Sequence, residues 1–220
     1  MKRPGTLLII LTLFALQATA QTKENVSFKW AFGAYTAKGG DFVSITRDTM
    51  LHSGDDVKML VELQRKCFVY VIHSGPKNDI TLLFPYSLDQ FEKDYDLKKN
   101  YYVPIGRKWI TFDSSTGQER FYILASNERL ADLETLLTTY EKSDTSKRAQ
   151  VSKQIASEIR DVKRRFRTFA TLAEKPVTIG GNIRGVGEED VKGRRPDVAD
   201  IATLISAANL YSKTITIDHR

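Results

Sequence analysis

From Val26 to Ser126 the apolar residues recur at nearly every second position, a period that confines this half of the chain to β-strands with one buried face. Phe28, Trp30 and Phe32 alternate with Lys29 and Ala31. Lys38-Gly39-Gly40-Asp41 supplies a turn, and Phe42-Val43-Ser44-Ile45-Thr46 reads as the returning strand. His52-Ser53-Gly54-Asp55-Asp56 predicts another turn, after which Val57, Met59, Val61 and Leu63 share a face. Residues 67–72 are apolar throughout, which suits a strand covered on both sides. Residues 80–84, stopped by Pro85, are followed by a longer polar loop. Residues 101–103, 109–112 and 119–125 then continue the series. Short strands at this spacing predict a mainly β fold, an antiparallel β-sandwich of immunoglobulin-like or jelly-roll-like kind.

The period changes after Ser126-Asn127, either of which could serve as a helix N-cap. Leu130, Leu133, Leu137 and Tyr140 follow at helical spacing, and residues 142–146 interrupt them. A second stripe of Val151, Ile155, Ile159, Val162 and Phe166 predicts a helix over 147–169. Two amphipathic helices in succession predict an inserted helical hairpin, residues 128–171, laid against the sandwich. The glycine-rich stretch 180–187 has neither the GxxxxGK[ST] nor the GxGxxG order of a phosphate cradle and reads as loop. Residues 197–210 predict a short helix, and the alternation over 214–218 predicts a last strand returning to the sheet.

The N-terminus carries a different signal. Lys2 and Arg3 precede the apolar run LLIILTLFAL at 7–16, and Ala18-Thr19-Ala20 has the small-x-small form of a cleavage site. Crossing a bilayer takes roughly twenty apolar residues, so this run predicts a signal peptide (1–20) cleaved after Ala20. The expectation is one β-sandwich domain over 21–220, exported to the periplasm or beyond the cell, with no transmembrane span. Cys67 is the only cysteine, so no internal disulfide can staple the fold, and its apolar setting predicts a buried thiol. Removing Lys2 and Arg3 lowers the formal charge from +6 to about +4, which excludes the profile of a dedicated nucleic-acid binder.

Six short motifs fall in order along the middle of the chain. They are Ser53-Gly54-Asp55, Phe68-Val69-Tyr70-Val71, Leu82-Leu83-Phe84-Pro85, Tyr102-Val103-Pro104, Gly117-Gln118-Glu119 and Leu124-Ala125-Ser126. In order and spacing, residues 50–127 resemble a bacterial family of domains of unknown function. That family is associated with secreted envelope proteins and with segments appended to serine/threonine kinases and caspase-like peptidases. The resemblance implies a non-catalytic β-sandwich accessory module and carries over no catalytic residue.

Candidate chemistry is sparse. His52, Asp55 and Asp56 share a turn and His73 follows a strand, but neither an HExxH motif nor a histidine pair at i, i+4 accompanies them. Surface or capping roles are expected for these histidines and a solvent-facing position for His219; no catalytic, metal or cofactor site is predicted. Lys163, Arg164, Arg165 and Arg167 form the sharpest charge cluster. It reads first as a solvated helix end favoured by the macrodipole, and second as an anionic-surface site. Tyr86, Phe91 and Tyr95, expected in exposed loops, are candidate interaction aromatics. These features favour a binding or scaffold protein with an envelope protein as partner. Glycan, cell-wall or anionic-surface binding and a hydrolase with a dispersed site remain as alternatives.

Overall fold

A computed structural model of the chain describes residues 25–169 and 195–220, with 167–169 as backbone alone. The expected signal peptide, the stretch 180–187 and the Arg167 side chain lie outside the described residues.

Strand β1 (Val26–Tyr35) sends Val26, Phe28, Trp30, Phe32 and Ala34 into one core, as its period requires. Thr36 N–H donates to the Asp41 carbonyl (2.9 Å) and closes the turn into β2 (Phe42–Ser44). This strand is shorter than expected because Ile45 folds inward, its N–H on the Phe32 carbonyl (2.7 Å). Next come β3 (Thr49–Leu51), β4 (Asp56–Leu63), β5 (Phe68–Ser74) and β6 (Ile80–Phe84). The polar loop holds a short helix, α1 (Gln90–Lys93), before β7 (Asn100–Val103), β8 (Ile110–Thr111) and β9 (Gly117–Ser126). Helices α2 (Ala131–Lys142) and α3 (Thr145–Phe169) form the expected hairpin. The chain closes with a 3-10 turn (Val198–Ile201), β10 (Thr203–Ala207) and β11 (Leu210–His219).

The strands form two sheets. The first runs β10-β1-β4-β7, with β2 also on β1 and β8 on β4; the second runs β3-β11-β9-β5-β6. Their inner faces meet through Phe32, Met59 and Val61 on one side and Val71, Phe121, Ile123 and Ile215 on the other. The sandwich is therefore as the sequence predicted, with one departure from antiparallel pairing: β3 runs parallel to β11, Leu51 opposite His219.

Strand β5 shows how the layers stack. Val69 and Val71 face the first sheet, while Tyr70 and Ile72 face Leu133, Leu137, Ile155 and Ile159 of the hairpin. It is covered on both sides, as its unbroken apolar run demanded.

Two boundaries differ from expectation. Strand β9 continues to Ser126, and α2 begins only after Leu130, so neither Ser126 nor Asn127 caps it. Ser126 Oγ instead accepts the Glu128 N–H (3.3 Å) in the connecting turn. The region 197–210 is not a helix but the 3-10 turn followed by β10, which pairs with β1 from Trp30↔Thr203 to Val26↔Ala207. The open edge of β1 and the inward side chain of Ile205, buried in the inter-sheet core, outweigh the helical leaning of the alanines.

Candidate functional site

The turn between β3 and β4 gathers the densest polar contacts. Gly54 takes φ +93°, which a side chain would resist, and Asp55 accepts the N–H groups of Ala37 (2.9 Å) and His52 (2.8 Å). Asp55 thus caps the turn. Ser53 N–H donates to the Arg220 carbonyl and Arg220 N–H to Leu51, which ties the end of β11 to this turn.

His219 is not solvent-facing: its side chain is fully buried. It keeps the inward parity of Ile215 and Ile217 on β11 and meets Phe112 edge-on at 4.8 Å. Its Nε2 lies 3.1 Å from Ser53 Oγ, and its Nδ1 3.4 Å from Glu119 Oε1. The other oxygen of Glu119 bonds His73 Nε2, and the His73 ring leans on Phe121 at 4.8 Å. One buried carboxylate therefore sits between two imidazoles at core-parity positions of β5, β9 and β11.

Serine, histidine and glutamate in this order of contact resemble a nucleophile, its base and an orienting acid. Acyl transfer also needs N–H donors aimed at the developing oxyanion. Here the N–H groups of Ser53, Gly54 and Asp55 already bond the carbonyls of Arg220, Phe112 and His52, at 2.9, 2.8 and 3.0 Å. The arrangement fits a clasp that joins three strands and the turn.

A second polar contact fixes the hairpin. The hydroxyl of Tyr70, fully buried, donates to Glu134 Oε1 (2.5 Å) and accepts the Leu130 N–H (3.1 Å). Arg129 reaches the same carboxylate at 2.6 Å. Burial first, and then Glu134, push the Tyr70 phenol well above its usual range. Further along, the Tyr140 hydroxyl accepts the N–H of Ile80 (2.9 Å).

Of the residues singled out in the sequence, the structure brings together Phe91 and Tyr95, whose rings meet edge-on at 4.9 Å. Lys163 donates to Thr214 Oγ1 (2.9 Å), Arg164 pairs with Asp161 (2.8 Å), and Arg165 pairs with Glu158 (2.7 Å) and Asp132 (3.7 Å). The described part of the basic cluster is thus engaged within the protein, and Phe166 packs on the hairpin core. Phe91 and Tyr95 are half-buried, not exposed: Phe91 packs edge-on against Phe68 and Tyr70, and the Tyr95 hydroxyl accepts the Val69 N–H. Tyr86 is exposed, its hydroxyl donating to the Tyr102 carbonyl (2.7 Å). Cys67 is buried, and burial raises its thiol pKa, as expected of an inert core cysteine. His52 stays at the surface, 4.0 Å from Asp55.

Among the described residues no cluster of three or more His, Cys, Asp or Glu is arranged to hold a metal ion. No helix among them is long and apolar enough to cross a membrane.

Fold and contacts together define a mainly β, two-sheet sandwich with a helical hairpin on one face. Residues 50–129 match the family model of a domain of unknown function (DUF4384). No curated protein and no solved structure matches the chain. The matched stretch covers β4 to β9 but neither β1, which pairs with β4, nor β11, which pairs with β9 and β3. In this chain, segments on either side of the match complete both sheets.

Proposed function

We propose that the chain is an exported, non-catalytic binding or scaffold module of the bacterial cell envelope, acting through protein–protein contacts. The export-type N-terminus and the match to a domain of unknown function support this reading. The observation that carries it is an apolar border on β7, the terminal strand of the first sheet. Leu97 before the strand is 50% exposed and Ile105 after it 62% exposed, with Tyr86 bonded to its Tyr102 carbonyl. Exposed apolar side chains along a sheet edge are what a partner protein would cover. Glycan or anionic-surface binding draws less support, because Lys163, Arg164 and Arg165 contact the protein itself and only Tyr86 of the three aromatics is exposed.

The test is a crosslinking pull-down from the native host with a tag after Arg220. Deleting the hairpin would uncover Tyr70, Ile72 and Leu124, so the informative variant is Leu97→Lys with Ile105→Lys. Recovery of a defined envelope protein, lost in this variant, is the expected result. Recovery unchanged by the substitutions, or a bait that fractionates with cell wall and no protein, would overturn the reading.

A further inference from the structure

Strands β2 and β10 both pair with the same side of β1, β2 at Gly33 to Tyr35 and β10 at Val26 to Trp30. Between them, among the described residues, Ala31 and Phe32 have no ladder partner on that side. Among the described residues two bonds span the gap, Ile45 N–H to the Phe32 carbonyl (2.7 Å) and Thr203 Oγ1 to the Trp30 carbonyl (3.4 Å). Across from this gap runs β11, and a cleft of about 340 Å³ opens between the sheets. Trp30, Phe32, Ile45, Ile205 and Tyr211 line it, the first four each less than a tenth exposed. Such a volume lies at the small end of ligand pockets, which run roughly 300–1,000 Å³ and are mostly apolar with a few placed polar groups.

The charged group here is Lys213, which lines the cleft along with the hydroxyl residues Ser44, Thr46, Thr203 and Ser212. On β11, Ile215 and Ile217 point into the inter-sheet core, so Lys213 stands on the same inward face, and it lines the cleft. Among the described residues its ammonium has no ion-pair or hydrogen-bond partner. A half-buried lysine beside aromatic and aliphatic walls offers one positive charge to a largely apolar cleft. We infer that this cleft binds a single-chain amphiphile with a carboxylate head, the chain between Trp30, Ile205 and Tyr211 and the head on Lys213. One charge matches a monoanion, and the apolar walls match its alkyl body. The inference is independent of the protein-partner reading, since its site lies between the sheets at their β10–β11 side and not on β7.

The experiment is a displacement titration with dansyl-labelled undecanoic acid, kept below micelle formation, with tryptophan emission of the Trp109→Phe protein, which reports Trp30, as a second signal. Dodecanoate is expected to displace the probe, and dodecanol more weakly. Lys213→Met should weaken dodecanoate by roughly tenfold and leave dodecanol unchanged. Thr203→Trp, placed at the mouth and checked for folding by circular dichroism, should abolish both. The inference falls if dodecanoate fails to displace the probe from the parent protein. It also falls if Lys213→Met affects acid and alcohol equally, or if folded Thr203→Trp binds like the parent.

Discussion

The two outer faces of the sandwich solve the same problem in different ways. Each sheet presents an apolar outer side that water must not reach. The second sheet is covered by a helical hairpin whose buried residues form a continuous cluster with Tyr70, Ile72 and Leu124. The first is covered over Ala31 and Leu60 by a single 3-10 turn anchored on Val198. Beyond that turn the cover is cationic and aromatic. Lys58, only 5% exposed, donates to the carbonyls of Gly106 (2.7 Å) and Lys108 (2.5 Å) and lies over Tyr102 and Trp109. Burial lowers its pKa, against the pull of Asp197. The Arg195 guanidinium lies over the rings of Tyr35 (5.1 Å) and Trp109 (5.2 Å). Apolar area holds one face, and charge held on rings and carbonyls holds much of the other. The difference teaches where substitutions should be costly.

The largest effect should come from the hairpin. Leu133 is fully buried between α2 and the sheet, so Leu133→Ala should cost about 2–5 kcal/mol in urea denaturation. A loss below about 1 kcal/mol would mean that the cavity collapses freely and the hairpin is no true core element. Tyr70→Phe sharpens the point, since it keeps the ring and removes only the hydroxyl shared by Glu134 and Leu130. It should cost about 1–3 kcal/mol, because the Leu130 N–H is left buried without a partner. Faster hydrogen exchange at the Leu130 amide would locate the loss; an unchanged rate would show that the hydroxyl does not fix the helix start.

Much of this contrast is legible in the sequence, but unevenly. The period of two over Val26–Ser126 and the helical stripes after it place the strands and the hairpin because those elements bury their own apolar faces. Strand β10 is missed because Ala199, Ala202, Ala207 and Ala208 lean helical, while its fate depends on the free edge of β1, far away in sequence. The histidine clasp is missed for a subtler reason. His73, Glu119 and His219 each continue a core-facing parity, after Val71, before Phe121 and after Ile217, but the alternation counts only apolar residues. Extending the parity to ionisable residues would have placed all three inside. That they meet one another depends on strand pairing, which a single sequence does not display.

The smallest effect should fall on the charged face, and it tests the contrast from its weak side. Arg195 bonds Asp56 Oδ2 at 2.5 Å, but its side chain is 43% exposed. Exposed ion pairs are worth about 0.2–1 kcal/mol, and a solvent-exposed cation–π contact about 0.5–1. Asp56 keeps a second partner, since its other oxygen still accepts from Thr111 Oγ1 (2.5 Å). Arg195→Ala should therefore cost about 1 kcal/mol, and part of that should vanish in high salt, where the ion pair is screened. Arg195→Lys should retain the charge but lose the guanidinium held over Tyr35 and Trp109, which separates the two contributions. A salt-independent loss above about 3 kcal/mol for Arg195→Ala would place this face on a par with the hairpin. The arginine would then act as core packing laid over aromatic rings, and the division between an apolar face and a charged one would have to be abandoned.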